Sequence, residues 1–346
     1  MTTYQKRNPG WRAGASGHTT AGIGRLHGDD TAPPPRMQER IDGEAAVLLE
    51  VLPDLESGAD ILDDVHRFIG RFVAYPSPHA HVAHTLWIAH THLMDAWDST
   101  PRIAFLSPEP GSGKSRALEV TELLVPRAVE AVNVTPAYLF RKVGAAEGRP
   151  TILYDEIDTV FGPKAKDNEE IRGLLNSGHR KHGMAGRCVV RGKEIFTEEI
   201  PAYCAVALAG LGGLPDTILS RSVIVHMRRR APNEIVEPYR RRINEHEGKQ
   251  IGERLALWAE DVEGDIVMPD MPDGIQDRDA DVWEALISVA DAAGGRWPNL
   301  ARVAAVALVA DSKGSTPSVV FHSVWNLSAD WRGSPSAGCR GRFWSR

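Results

Sequence analysis

Cysteine is scarce in this chain of 346 residues: Cys188, Cys204 and Cys339 are the whole complement. Three thiols so scattered exclude a disulfide framework and a four-ligand zinc site, and they suit a reducing compartment. No stretch approaches the ~20 consecutive apolar residues of a membrane helix; the most apolar run, 202–214, is broken by glycines. The opening Met1-Thr-Thr-Tyr-Gln-Lys-Arg-Asn-Pro has charge but no apolar centre, so no secretory signal is read there and a cytoplasmic location is expected. Neither sign of charge dominates, with 40 basic against 46 acidic residues and a net charge of −6. Any contact with nucleic acid must therefore come from a local basic patch. Gly and Pro, at 32 and 23, are near ordinary usage, and 42% of residues are hydrophobic. Collagen-like and wholly disordered classes are thereby excluded. The length suits about two domains.

The chain divides by composition. Residues 1–40 hold six basic and three acidic side chains, several glycines and Pro33-Pro34-Pro35, which predicts a disordered basic arm. Residues 41–100 read as helical, with Ser77-Pro78 supplying a cap and a first-turn proline for a helix running to Trp97. From 101 to 232 short apolar runs alternate with helical text. Strands are expected at 103–106, 132–134, 151–154, 202–208 and 222–227, with helices at 114–124 and 136–143 between them. That alternation predicts an α/β fold, a parallel sheet with helices on both faces. Residues 233–312 turn helical again, at 234–260, 279–292 and 298–310, and are read as a small lid domain. The last stretch, 313–346, has five basic residues, one acidic and three tryptophans without periodicity, and is expected to be an irregular, truncated or frame-shifted tail.

The strongest chemical signal is Ser107-Pro-Glu-Pro110-Gly111-Ser112-Gly113-Lys114-Ser115, between an expected strand and an expected helix. A phosphate chain needs backbone N–H groups converging on it, which glycines permit, and a helix N-terminus adds partial positive charge. In such a loop Lys114 reaches the terminal phosphates and the Ser115 hydroxyl holds Mg²⁺. Pro110 to Ser115, with Arg116, are thus candidates for binding ATP. Pro108 stands where a standard loop of this kind has its first glycine. A second motif, Thr151-Ile-Leu-Tyr-Asp155-Glu156-Ile-Asp158, puts carboxylates at the tip of an apolar strand, the edge where parallel sheets bind ligands. Asp155 suits the magnesium shell and Glu156 suits activation of a water. A third element, Gly213-Leu-Pro-Asp-Thr-Ile-Leu-Ser-Arg221, sets an arginine at the entrance to the last strand. An arginine supplied by a neighbouring subunit stabilises the charge that spreads over a transferring phosphoryl group; a salt-bridged surface arginine is the alternative.

In this order and spacing the three motifs resemble the AAA+ class of P-loop ATPases, and most of all its helicase branch. Ala89-His-Thr-His, the phosphate-loop phrase, Leu175-Asn-Ser-Gly-His-Arg-Lys and Asp277-Arg278 with Asp281-Val-Trp resemble a domain of unknown function, number 3631, over about residues 60–316. That resemblance implies an ATPase of phages, plasmids and integrated elements that works beside replication modules, as a homo-oligomer, hexameric rings included. It also implies that Arg278 is a lid arginine presented to the nucleotide. Such ATPases often carry a polar γ-phosphate sensor at the tip of the fourth strand, where this chain reads Ala207-Leu-Ala-Gly210.

Residues 172–193 contain Arg172, Arg180, Lys181, Arg187, Arg191 and Lys193 and no acidic residue. Five glycines in the same stretch predict a flexible basic insertion. Arg180, Lys181, Arg187, Arg191 and Lys193 are candidates for the phosphate backbone of DNA, single strands favoured; a solvated charged loop is the alternative. Histidines 79, 81, 84, 90 and 92 invite a metal, but helical geometry lets only His81 and His84 converge. The expectation is a Mg²⁺-dependent ATPase coupled to DNA. Its rivals are an ATP-driven remodeller of a protein partner and a truncated nucleotide-binding relic.

Overall fold

The computed structural model describes residues 57–132, 134–145, 148–161, 169–192 and 194–314. The expected arm at 1–40 and all but two residues of the expected tail at 313–346 lie outside them.

Five short strands form one parallel sheet: β1 (Arg102–Leu106), β2 (Ala128–Ala131), β3 (Thr151–Tyr154), β6 (Ala205–Gly210) and β7 (Ser222–His226). Two further strands, β4 (Met184–Arg191) and β5 (Glu194–Pro201), make a separate antiparallel hairpin. The parallel sheet runs β2-β3-β6-β1-β7. Side chains on a strand alternate between faces, and here both faces are covered. Ile103 and Phe105 join one buried cluster while Ala104 and Leu106 join the other. Burial on both sides is why these strands read as continuous apolar runs rather than alternating ones.

One face carries helices from both ends of the described chain: α1 (Gly58–Phe72), α2 (Pro78–His90), α3 (Lys114–Glu122), α8 (Arg241–Val262), α9 (Arg278–Ala293) and α10 (Trp297–Gly314). Helix α1 buries Ile61, Leu62, Val65, Phe68, Ile69 and Phe72, one stripe at helical spacing. Ser77 caps α2 by accepting the Ala80 N–H at 3.2 Å, with Pro78 as its first residue. The opposite face carries α4 (Pro136–Val143), α5 (Asp158–Phe161), α6 (Glu169–Ser177) and α7 (Asp216–Leu219). Leu139, Phe140, Ile171, Leu174 and Ile218 sit in that second core.

Several elements differ from the sequence expectations. Strand β2 is Ala128–Ala131, not 132–134, because Val132 is 55% exposed while Val129 and Ala131 are buried. Helix α8 begins at Arg241 rather than 234; Pro238 lacks an N–H and would clash with the preceding turn of a helix through that point. Helix α2 stops at His90, followed by a 3-10 turn at Thr91–Leu93. Side chains take its last carbonyls: Thr91 donates to Ile88 O, His90 Nδ1 to Trp87 O, and Trp97 Nε1 to His90 O. The stretch expected as a flexible insertion is instead helix α6 followed by the regular hairpin β4–β5. No helix among the described residues is long and apolar enough to cross a membrane.

Candidate functional site

Strands β1 and β6 are neighbours whose connections leave in opposite directions, β1 toward β2 and β6 toward β7. Such a switch point opens a crevice beyond the carboxyl ends of the strands. Three loops meet there, all fastened to the tip of β6. The Ser107 N–H donates to Gly210 O at 3.2 Å, the Ile157 N–H to Ala209 O at 3.0 Å, and the Leu211 N–H to Asp158 Oδ1 at 2.6 Å.

The first loop runs from Ser107 into α3. Gly113 occupies the cap position with φ 86° and Gly111 has φ 71°, a left-handed backbone that side-chain-bearing residues avoid. No side chain caps α3, so its first-turn N–H groups are open to an anion. Lys114 folds back over the loop. Its Nζ donates to Glu109 O at 3.0 Å, Ser112 Oγ at 3.0 Å and Ser107 O at 3.4 Å. Burial pulls its pKa down, against the opposing charges of Asp155 and Asp158. Arg229 pins the same loop from the end of β7, donating to Pro110 O at 3.1 Å and pairing with Glu109 at 3.4 Å. Ser115 is exposed in the first turn of α3. Arg116 is engaged elsewhere, with Glu119 at 2.9 Å and over the Tyr239 ring at 4.8 Å.

The second loop follows β3. Asp155 accepts the Glu156 N–H at 2.8 Å. Glu156 is exposed and holds φ 54°, a strained backbone for a residue with a Cβ. Asp158 ties this loop to β6, a role not expected of it from sequence. A Cβ at Gly210 would collide with Asp158 Oδ1 and come within 2.7 Å of Ile157 Cγ2. This tip therefore has no room for the polar sensor side chain that the AAA+ resemblance led one to seek.

Arg221 lies at the other end of the sheet. Its carbonyl accepts the Arg102 N–H at 2.9 Å, at the amino ends of β1 and β7. The six residue steps from Arg221 to Met227, at ~3.3 Å each, carry roughly 20 Å along β7 before reaching the level of the loop that holds Lys114. Arg221 Nη1 approaches Asn176 Oδ1 at 3.4 Å. Arg278 does not join Lys114 either; its Nη1 sits 3.4 Å from Ser220 Oγ, beside Arg221. Arg278, at the start of α9, thus stands at the amino edge of the sheet rather than over the loop that holds Lys114. Arg180 belongs to the same group, since burial and the like charges of Arg278 and Arg180 lower the Arg221 pKa. Lys181 Nζ donates to Asp95 O at 2.6 Å.

In the hairpin, Arg187 registers opposite Glu198 and Arg191 opposite Glu194. From Met184 to Pro201 there are three basic and three acidic residues, so the stretch that read as basic carries no net charge once its second strand is counted. Lys193 lies outside the described residues.

His84 and His90 are fully buried, and His81 and His92 are half-buried and hydrogen-bonded within the helical layer. Tyr75 OH donates to His84 Nδ1 at 2.7 Å, and His84 Nε2 donates to Thr121 Oγ1 at 2.8 Å, since that hydroxyl itself donates to Ala117 O. His81 Nε2 donates to His66 O at 2.8 Å and His92 Nε2 to Leu124 O at 2.7 Å. Among the described residues no three His, Cys, Asp or Glu side chains converge to cage a metal. Mg²⁺ held with phosphates asks less of the protein, one or two oxygens with the remainder from water and substrate.

Comparison with known proteins reaches the C-terminal part of the chain. Residues 226–326 match the model of a family described as a protein of unknown function, DUF3631. The match runs past residue 316, where the expected resemblance ends, but starts after the loop that holds Lys114 and after the acidic strand tip. Over 88 residues the chain is 50% identical to an "Uncharacterized 28.9 kDa protein in xis 5'region" of Saccharopolyspora erythraea. That alignment covers 25% of this chain and 33% of the relative, so the chain spans about a third of the protein it matches.

Proposed function

We propose that the chain is a Mg²⁺-dependent ATP hydrolase of the P-loop type, AAA+-like in architecture. One observation carries the reading: an uncapped helix start with Lys114 folded over its loop faces a carboxylate pair at a strand tip, the two separated by a single strand. The residues fit the ligands. Lys114 would exchange three loop oxygens for phosphate oxygens, and the open N–H groups of α3 would take the rest of the chain. The Ser115 hydroxyl and Asp155 would hold the metal, which when bound neutralises charge on the phosphates. Glu156 would orient a water and take its proton. Arg221 is too far along β7 to act on its own loop, so its role in turnover would be on the nucleotide of an adjoining copy.

DNA in a mobile-element replication role is the partner we propose, on the strength of the family resemblance and of Arg180 and Lys181. The balanced charge of the hairpin favours a second reading, an ATP-driven remodeller whose hairpin meets a protein. The ATPase rate with and without single-stranded DNA separates them. Stimulation of tenfold or more, declining with salt, supports DNA coupling; an unchanged rate favours the protein partner.

A further inference from the structure

A cleft of about 470 Å³ opens where the chain enters β2, β3 and β6, at the edge of the sheet opposite the loop that holds Lys114. The 3-10 turn after α2, the end of α4 and Glu263 just after α8 complete its walls. That volume suits a drug-sized molecule rather than a lone ion, since ligand pockets run to ~300–1,000 Å³. Two charges of each sign line it: Arg127 and Arg149, Asp95 and Glu263. Arg149 pairs with Asp95 and lies over the Tyr203 ring at 4.7 Å. Tyr203 donates to Trp97 O at 3.2 Å, which fixes the ring beneath the guanidinium. Burial pushes the Tyr203 hydroxyl up, with Asp95 and Asp98 adding to the shift and Arg149 and Arg102 opposing it, so it stays a donor.

Arg127 and Glu263 are the charges left over, since among the described residues neither forms an ion pair. Arg127 holds φ 44°, a strained backbone for a residue with a Cβ, and its Nε donates to Arg149 O at 3.4 Å. A Cβ at Gly148 would run into the Arg127 guanidinium, so the glycine leaves the room this side chain occupies. His92 Nε2 donates to Leu124 O, which makes Nδ1 an acceptor; among the described residues it has no partner, and it is not closed off from solvent. The cleft thus offers one unpaired cation, two acceptors and an arginine plane that already carries one ring. An amino-acid zwitterion matches the charges but fills only part of the volume. A nucleotide matches both.

We propose that this cleft binds a nucleotide, with the phosphate on Arg127, the base stacked on the second face of Arg149, and the donor edge of the base on Glu263 and His92 Nδ1. Bases stack on guanidinium planes as they do on aromatic rings, and carboxylates accept from exocyclic amines. Guanine suits the two acceptors best, because its Watson–Crick edge carries adjoining N–H and amino donors. Thymine, with a lone N–H there, suits them least. The nucleotide is free or is one unit of a single strand. Lys181, which donates to Asp95 O at 2.6 Å, stands at the rim where a strand would continue. The inference stands apart from the ATP reading, because it shares no residue with the site around Lys114.

Full-length Lys114→Ala protein, chosen to silence the other phosphate site, is titrated with dGMP and dTMP by calorimetry and with a short fluorescein-labelled single strand by anisotropy. dGMP should bind saturably and roughly tenfold more tightly than dTMP, the worth of a further hydrogen bond to a charged group. Arg127→Ala keeps the Cβ and so leaves the backbone strain as it is. It should weaken dGMP binding by roughly 10–100-fold at an unchanged melting temperature. Arg149→Lys keeps a charge for Asp95 but not the stacking plane, and should weaken both nucleotides by about tenfold. Glu263→Ala should shrink the preference for dGMP. A loss in Arg127→Ala that extends to the strand puts one unit of a strand in the cleft; a loss confined to dGMP marks a free nucleotide. Binding of both probes unchanged by Arg127→Ala would overturn the inference, as would equal affinity for dGMP and dTMP. ATP binding by protein with Lys114 intact tests the hydrolase reading separately, and Arg127→Ala should not alter it.

Discussion

Lowering the pH from 7.5 to 5 should unfold the protein through six histidines that folding holds neutral. His81, His84 and His90 are held neutral to about 3, and His92 to about 4, chiefly because burial disfavours the imidazolium. In the unfolded chain each titrates near 6.5. Folded values lie below unfolded ones, so the stability these groups permit is complete above pH 6.5 and is lost as pH falls toward the folded values. His66 and His179 are likewise held down to about 4. One unit below 6.5 each group costs about 1.4 kcal/mol, and the six together ~8 kcal/mol at pH 5.5. That is comparable to the whole stability of a typical domain, roughly 5–15 kcal/mol. The paired carboxylates Asp64 and Glu234 have lowered pKa values and titrate below this window. Glu130 and Glu284, raised by burial, oppose the trend. Urea unfolding followed by circular dichroism at pH 7.5, 6.0 and 5.5 reads the slope directly. It should correspond to about six protons taken up on unfolding, with a midpoint without urea near pH 5. His92→Gln, whose amide can still donate to Leu124 O, should remove about one of them. A protein equally stable at pH 7.5 and 5 would refute the reasoning.

Glu156→Gly should be more stable than Glu156→Ala by about 1 kcal/mol, because only alanine retains the Cβ that the left-handed backbone disfavours; urea midpoints that rank them the other way would contradict the strained tip. Arg221→Ala should bind ATP but lose ~10³–10⁵ in turnover. Mixed in equal amounts with Lys114→Ala it should regain about a quarter of wild-type activity, the chance that a site with Lys114 meets a neighbour with Arg221 in a randomly mixed ring. Mixed oligomers as inactive as their parts would rule out the trans role.

What was legible in the sequence was local. Strands β1, β3 and β7 stand where apolar runs ended in turn chemistry, and the glycine-rich loop before α3 and the acidic strand tip could be located because each is a contiguous phrase. Strand β2 was misplaced because Glu130 lies within it and Val132 just beyond it, so apolar identity pointed the wrong way. The hairpin was missed because Gly186 and Gly192 were read as breakers, whereas Gly192 begins the turn between two paired strands, as a short glycine-containing hairpin loop requires. Its neutrality emerges only when 184–191 is laid against 194–201. Arg278 was set with the nucleotide because the angle at which α9 meets the sheet depends on packing against α2 and α10, which no local pattern encodes. Gly210 looked like a missing sensor until Asp158 was seen to fill the space.

ATP binding and single-turnover hydrolysis, measured side by side for the wild type, Lys114→Ala and Glu156→Gln, test the central claim most directly. On the proposed reading Lys114 would meet phosphate in the ground state, whereas Glu156 would act on the attacking water. The account therefore predicts that Lys114→Ala loses ATP binding, and that Glu156→Gln binds as the wild type does while hydrolysis falls by a hundredfold or more, in line with the ~10²–10⁴ contribution of general-base catalysis. Both variants binding and hydrolysing ATP at wild-type levels would contradict it.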